Sequence, residues 1–254
     1  MTEDFAGILS GILDVGELML TAGAEVGRVE ETLQRMADAY GCVRADVFTI
    51  TSSIVMTVCR EDGQVFTQTR RIHTYETDMD RIEQCNRLSR RVCDTPLSEE
   101  ALNNAVAEIK KGGPYAPWLI CVGYCCVAMS FAVFFGGSFF DGLAASICSV
   151  LLFFTSRYFQ RIRLQKIVAT VLASGIVALG AVGLTRLGLG SALDKICIGN
   201  VMLLIPGIAF VTSLRDVISG DTISGLLGVS EAILRALAIA VGFAVVLWIF
   251  GGAV

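Results

Sequence analysis

The residues best suited to chemistry lie between positions 199 and 235, in GNVMLLIPGIAFVTSLRDVISGDTISGLLGVSEAILR. Arg215, Asp216, Asp221, Ser224 and Glu231 form a polar insert between two strongly apolar runs. The first run, up to Leu214, has the composition of a membrane helix, yet it contains Asn200 and, near its centre, Pro206-Gly207. Proline inside a helix removes a donor and clashes one turn back, here freeing the carbonyl of Met202. In lipid, freed backbone groups persist only where protein or a water-lined cavity satisfies them. Ionisable side chains at membrane depth are costly enough to suggest function. A helix broken at Pro206-Gly207 would also turn the positive N-terminal end of its second half toward an anionic group. Arg215 or that helix end suits a carboxylate. Asp216, Asp221 or Glu231 suits an ammonium group, or carries a proton once burial raises its pKa. The plainer reading is a loop with ordinary charges. Against it, residues 217–231 include Ile218, Ile223, Leu226, Leu227 and Val229 beside Gly220, Gly225 and Gly228. Such a segment is expected to re-enter the bilayer or line a cavity.

A second polar set, Gly23-Ala24-Glu25 with Arg28, Glu30 and Glu31, suits a cation or a partner. Its plainer reading is a solvated helix face with local ion pairs. His73, the only histidine, sits in polar RRIHTYE and reads as a surface residue. No nucleophile–base order, GxSxG elbow or GK[ST] phosphate loop can be assembled, so an enzyme is not expected. The nine cysteines include no CxxC pair, which argues against zinc and thioredoxin-like chemistry. They read as small buried hydrophobes in a reducing compartment. Neither a metal nor a cofactor is called for.

These residues are carried by a chain of uneven apolarity. It is 54% hydrophobic, with a mean hydropathy of +0.67. Residues 1–111 hold 19 acidic and 12 basic side chains, whereas residues 112–254 hold five and eight. The change falls at Lys110-Lys111-Gly112-Gly113-Pro114, predicting a soluble acidic domain (1–111) followed by a membrane domain (112–254). A pI near 5.1 without a basic stripe excludes nucleic acid as a partner. The opening MTEDFAGILSG lacks the pattern of a cleaved signal peptide.

In the first domain, apolar residues at helical spacing predict helices over 5–22 and 24–40, the second stopped by Gly41. VRADVFTIT, SIVMTVCR and QVFTQTRRI are strand-like, with Asp62-Gly63 as a hairpin turn between the last two. Helical spacing returns at Asp78 and ends before Thr95-Pro96. Ser98 is a suitable N-cap for a last helix whose first turn is acidic. The expected fold class is a polytopic α-helical membrane protein of five transmembrane helices, preceded by a small α+β domain (α2β3α2).

Charged residues delimit the spans, at about 116–135, 139–158, 167–185, 196–214 and 232–252. The third, fourth and fifth are drawn from uncharged runs of 19 residues. Such a run covers about 28 Å as a helix, close to a hydrocarbon core of about 30 Å. Basic residues concentrate before the first span, between spans two and three (Arg157, Arg161, Arg163, Lys166), and at Arg215 and Arg235. The positive-inside rule then places the N-terminal domain in the cytoplasm and the C-terminus outside. Ala232, Ala236, Ala240 and Ala244 form a small-residue stripe suited to close helix packing.

The run LLIPGIAFVTSLRDVISGDTISGLLGVSEA resembles the PG…RD…GD…SG signature of bacterial threonine/serine exporters. LMLTAGAEVGRVEETLQRMADAYG is similar to the GAE…RVE opening of that family's cytoplasmic domain. The resemblance covers nearly the whole chain in the same order and implies an exporter of the bacterial inner membrane. Family members fused as single chains carry a second set of spans. A chain ending after the fifth span resembles the larger subunit of a split form, completed by a separate small membrane subunit. A homo-oligomer of that pair is compatible with the resemblance. The implied substrate is a small polar metabolite, L-threonine or L-serine first, with proton coupling. Some split members are associated with dicarboxylate (succinate) export, for which Arg215 with Arg235 or Arg186 would supply two cationic contacts. A regulatory membrane subunit and a membrane-anchored enzyme are the remaining readings.

Overall fold

The computed structural model describes residues 5–73, 75–112 and 115–250. It divides into two compact units. The first holds the N-terminal part of the chain, to the end of its fourth helix, together with Gly207–Ser230. The second holds the next four helices and the chain from Glu231 onward.

In the first unit, α1 (Phe5–Thr21) and α2 (Val26–Ala39) precede three strands, β1 (Cys42–Ile50), β2 (Ser53–Arg60) and β3 (Val65–Arg71), and then α3 (Met79–Asp94) and α4 (Glu99–Lys111). The strands pair antiparallel in sequence order, with Val47 opposite Met56 and Thr49 opposite Ile54. Ile54, Met56 and Val58 alternate into the core, as expected for a sheet with one covered face. α1 is buried along most of its length and packs with Leu33, Met36 and Leu102 around it. Ser98 accepts from the Ala101 N–H and Asp78 from the Arg81 N–H, so two helix starts are capped by side chains. The α2β3α2 order matches the sequence expectation, and His73 is exposed.

In the second unit, α5 (Pro117–Phe134), α6 (Phe139–Arg161), α7 (Lys166–Arg186) and α8 (Leu193–Leu204) pack around small residues, among them Ala128, Ala145, Ala178 and Ala181. The chain continues in α9 (Gly207–Ser219) and α10 (Thr222–Phe250), each assigned to its unit as above. Among the described residues, four helices are long and apolar enough to cross a membrane, or five if the broken pair α8 and α9 counts as one span. The fourth span expected at 196–214 corresponds to this pair and is broken at Pro206-Gly207, where the sequence pointed to a break. Proline disfavours helical geometry at the preceding residue, and Ile205 is extended (φ −63°, ψ 124°). The helix expected from about 232 starts ten residues earlier, at Thr222, and takes in the segment read as a polar insert.

Two details of the second unit depart from simple span packing. Asp141 is 1% exposed. One of its oxygens accepts from the Ser138 N–H and hydroxyl, both at 2.7 Å. The other accepts from the backbone N–H groups of Ser191 (2.7 Å) and Ala192 (2.9 Å). One carboxylate thus completes a capping box on α6 and fixes the turn before α8. Of the alanine stripe, Ala232 is buried, but Ala236, Ala240 and Ala244 are exposed. The buried face of α10 instead carries Ala238, Ile239, Phe243 and Val246. All nine cysteines are free, and Cys42, Cys85, Cys148 and Cys197 are buried, whereas Cys93 and Cys126 are exposed.

Candidate functional site

The two polar motifs are nearly 200 residues apart in sequence and meet in the first unit. Gly23, with φ +88°, and buried Ala24 end the turn between α1 and α2. Glu25 occupies the N-cap of α2 but makes no side-chain cap. The cap comes from α9, where buried Asp216 accepts from the Val26 N–H at 3.2 Å. A carboxylate there meets both an unsatisfied donor and the positive end of the helix dipole. Glu25 pairs instead with Arg215 at 2.8 Å. The adjacent Arg-Asp of α9 thus grips two successive positions of the first motif.

The α9–α10 connection has equally specific causes. Gly220 has φ +105° and ends α9 in the left-handed region, which favours glycine. The Asp221 N–H then bonds back to the Asp216 carbonyl at 2.9 Å. A Cβ at Gly225 would stand 2.6 Å from the Val217 nitrogen and 2.7 Å from the Ser213 carbonyl, so only glycine allows this helix approach. Ser224, also buried, donates to the Thr49 carbonyl at the end of β1 (3.4 Å).

Glu30 lies one turn into α2, where its carboxylate accepts the Thr49 N–H at 2.7 Å. Burial pushes its pKa above the ordinary glutamate value; the Thr49 N–H works against this, and the charge of Asp221 adds to it. A Cβ at Gly27 would be 3.3 Å from Asp221 Oδ2, which sets that carboxylate over α2 one turn before Glu30. The Thr49 hydroxyl is buried and has no hydrogen-bond partner. The site therefore holds two linked pairs, Glu25 and Asp216 beside Arg215, and Glu30 with Asp221 over the next turn of α2.

The remaining expected residues stand apart from this cluster. Arg28 is exposed on α2, and Glu31 pairs with Arg35 on its outer face. For Glu25 and Glu30 the reading of a solvated face gives way to long-range contacts with Arg215 and Thr49. Asn200 belongs to the second unit, is fully buried, and donates to the carbonyls of Ala145 and Ile196. It acts there as a brace between α8 and α6, although its Oδ1 has no partner. Pro206 precedes α9, whose first residue is the exposed Gly207. Glu231 also belongs to the second unit and forms an exposed i,i+4 pair with Arg235. Thr49 was not singled out by sequence, because a threonine in an alternating strand carries no distinguishing signal. Among the described residues, no group of three or more potential ligands could hold a metal ion. The second unit has an apolar groove of about 370 Å³ between α8 and α10, bordered by Val201, Ala236 and Ala240.

No solved structure matches the chain. A curated relative from Mycobacterium tuberculosis, described as "Probable threonine/serine exporter", is 25% identical over 237 residues, covering 92% of this chain and 45% of its own length. The chain thus spans about half the length of that relative. The ThrE family model, described as "Putative threonine/serine exporter", matches residues 10–250, which include both halves of the converging site. The chain belongs to this threonine/serine exporter family.

Proposed function

We propose that the chain is a subunit of a secondary exporter of L-threonine and L-serine in the bacterial inner membrane. Its N-terminal domain lies in the cytoplasm and its C-terminus outside. The observation that carries this reading is the convergence of Glu25 and Glu30 of α2 with Arg215, Asp216 and Asp221 from a distant part of the chain. An amino acid brings one ammonium and one carboxylate to such a site, and its ammonium relieves the repulsion among the carboxylates. A dicarboxylate would add two negative charges to four, which disfavours the succinate reading. Proton coupling follows from the same electrostatics. A carboxyl group held above its ordinary pKa by burial and a neighbouring charge exchanges its proton for a bound cation. Such exchange at Glu30 would link export to proton entry.

The exposed faces of α9 and α10 carry Ile208, Val211, Ile218 and Ile223. Those side chains suit lipid or another membrane segment. The open stripe at Ala236, Ala240 and Ala244, beside the apolar groove, suits a second membrane part that completes the transporter. The test is counterflow in proteoliposomes, with and without that part. Labelled L-threonine should accumulate against unlabelled L-threonine or L-serine and ignore succinate. Succinate counterflow without threonine counterflow refutes the assignment.

A further inference from the structure

We infer that Glu30, Thr49 and Asp221 form the seat for the substrate's primary ammonium group. This rests on the amino-acid exporter reading and specifies which residues of the site meet the ammonium. Thr49 pairs with Ile54 across β1 and β2, and its side chain shares the helix-covered face of the sheet. It is 3% exposed, and its Oγ1 has no hydrogen-bond partner. A buried hydroxyl without a partner carries a desolvation cost that a ligand would remove. Its own N–H holds Glu30 at 2.7 Å, and the hydroxyl faces the same carboxylate without completing a hydrogen bond. Asp221 approaches from the α9–α10 turn, with its Oδ2 over Gly27. Gly27 and Glu30 are three residues apart on α2 and so lie on one helix face.

The seat thus offers oxygen acceptors from three places in the fold, β1, α2 and the α9–α10 turn. An –NH₃⁺ group has three donors and no acceptor. The two carboxylates supply charge, and the hydroxyl supplies a neutral acceptor. Asp216 and Glu25 are engaged elsewhere, by the Val26 N–H and Arg215. That leaves Glu30 and Asp221 as the carboxylates with capacity for a ligand.

The experiment measures binding to the full chain in nanodiscs by calorimetry. The probes are L-threonine, threoninol (ammonium without carboxylate), 2,3-dihydroxybutanoate (carboxylate without ammonium) and sodium chloride. Threonine and threoninol should bind the wild type and displace each other, whereas dihydroxybutanoate and sodium should not compete. Thr49→Val preserves shape and strand preference, so it should fold with an undiminished melting temperature. It should weaken both ammonium probes about tenfold or more, as expected for a hydrogen bond to a charged group. Glu30→Gln should weaken them further. The seat is overturned if neither ammonium probe binds, if Thr49→Val and Glu30→Gln bind like the wild type, or if sodium competes as well as threoninol. Efflux from threonine-loaded cells separates this from the exporter reading. Threonine efflux with unchanged binding in both variants removes the seat and leaves the exporter. Thr49-dependent threoninol binding without threonine efflux removes the exporter and leaves the seat.

Discussion

Replacing Asp141 tests whether a buried membrane-domain carboxylate is a scaffold or part of the transport chemistry. Its two oxygens receive three backbone N–H groups and one hydroxyl, all within 2.9 Å. Hydrogen bonds to a charged group contribute about 1.5–3 kcal/mol each. The four share one side chain and do not add independently. Asp141→Ala should therefore cost about 4–5 kcal/mol, leaving the N–H groups of Ser138, Ser191 and Ala192 without their acceptor. Asp141→Asn keeps one oxygen of similar shape and should cost about half as much. The assay is thermal unfolding in mild detergent, followed by helical circular dichroism and paired with counterflow per folded molecule. Both variants should melt lower, in the order alanine below asparagine below wild type. The asparagine variant should keep its flux per folded molecule, because a backbone clamp has no need to titrate. Unchanged melting in Asp141→Ala refutes the clamp. Full stability with abolished flux in Asp141→Asn shows instead that the charge takes part in transport.

Asp221→Asn should insert normally yet abolish threonine counterflow; normal flux at several pH values rules Asp221 out of the pathway. Gly225→Ala places a Cβ against backbone atoms at 2.6 and 2.7 Å, which cannot rotate away. Forcing α9 and α10 apart should cost about 1–3 kcal/mol, read as a lower melting temperature. Arg215→Gln should change stability by less than about 1 kcal/mol, since the arginine of its pair with Glu25 is 67% exposed; a larger loss in chemical denaturation contradicts that picture. Glu30 provides a pH test. Its folded pKa lies above the ordinary 4.5, so its contribution to stability is fully present below that value and fades as pH rises through the raised pKa. Wild type should thus lose melting temperature with rising pH just above 4.5, and Glu30→Gln should lack that component. Parallel pH profiles for the two proteins would exclude it.

Most elements were legible because each is encoded locally. Apolar spacing marks α1 and α2, Asp62-Gly63 the hairpin, Ser98 the start of α4, and long uncharged runs α5 and α7. The break at Pro206 was legible for the same reason, since proline acts on its immediate neighbours. The start of α10 was not. Charges at 221 and 231 looked like the limits of an insert, but charged residues are tolerated in a helix wherever they reach solvent or a partner. Neither alternative could be chosen without knowing what covers that segment.

The site shows the same division between local and long-range information. Both of its motifs were visible as unusual residue combinations, yet their pairing was not, because Asp216 caps a helix that begins 190 residues earlier. A helix start without its own capping side chain is the signal that was available. Val26 follows Glu25, and glutamate is not among the favoured N-caps. The Val26 N–H is buried, so it requires an acceptor from elsewhere in the fold. Asp216 satisfies that requirement and separates the roles of the acidic residues. Because Asp216 and Glu25 already have partners, the charge left to act on a substrate lies at Glu30 and Asp221. A carboxylate count from the sequence treats all four as equivalent. Their hydrogen bonds show that they are not, and so single substitutions at Asp216 and Asp221 should fail in different ways, the first by loosening α2 and the second by losing transport in a folded protein.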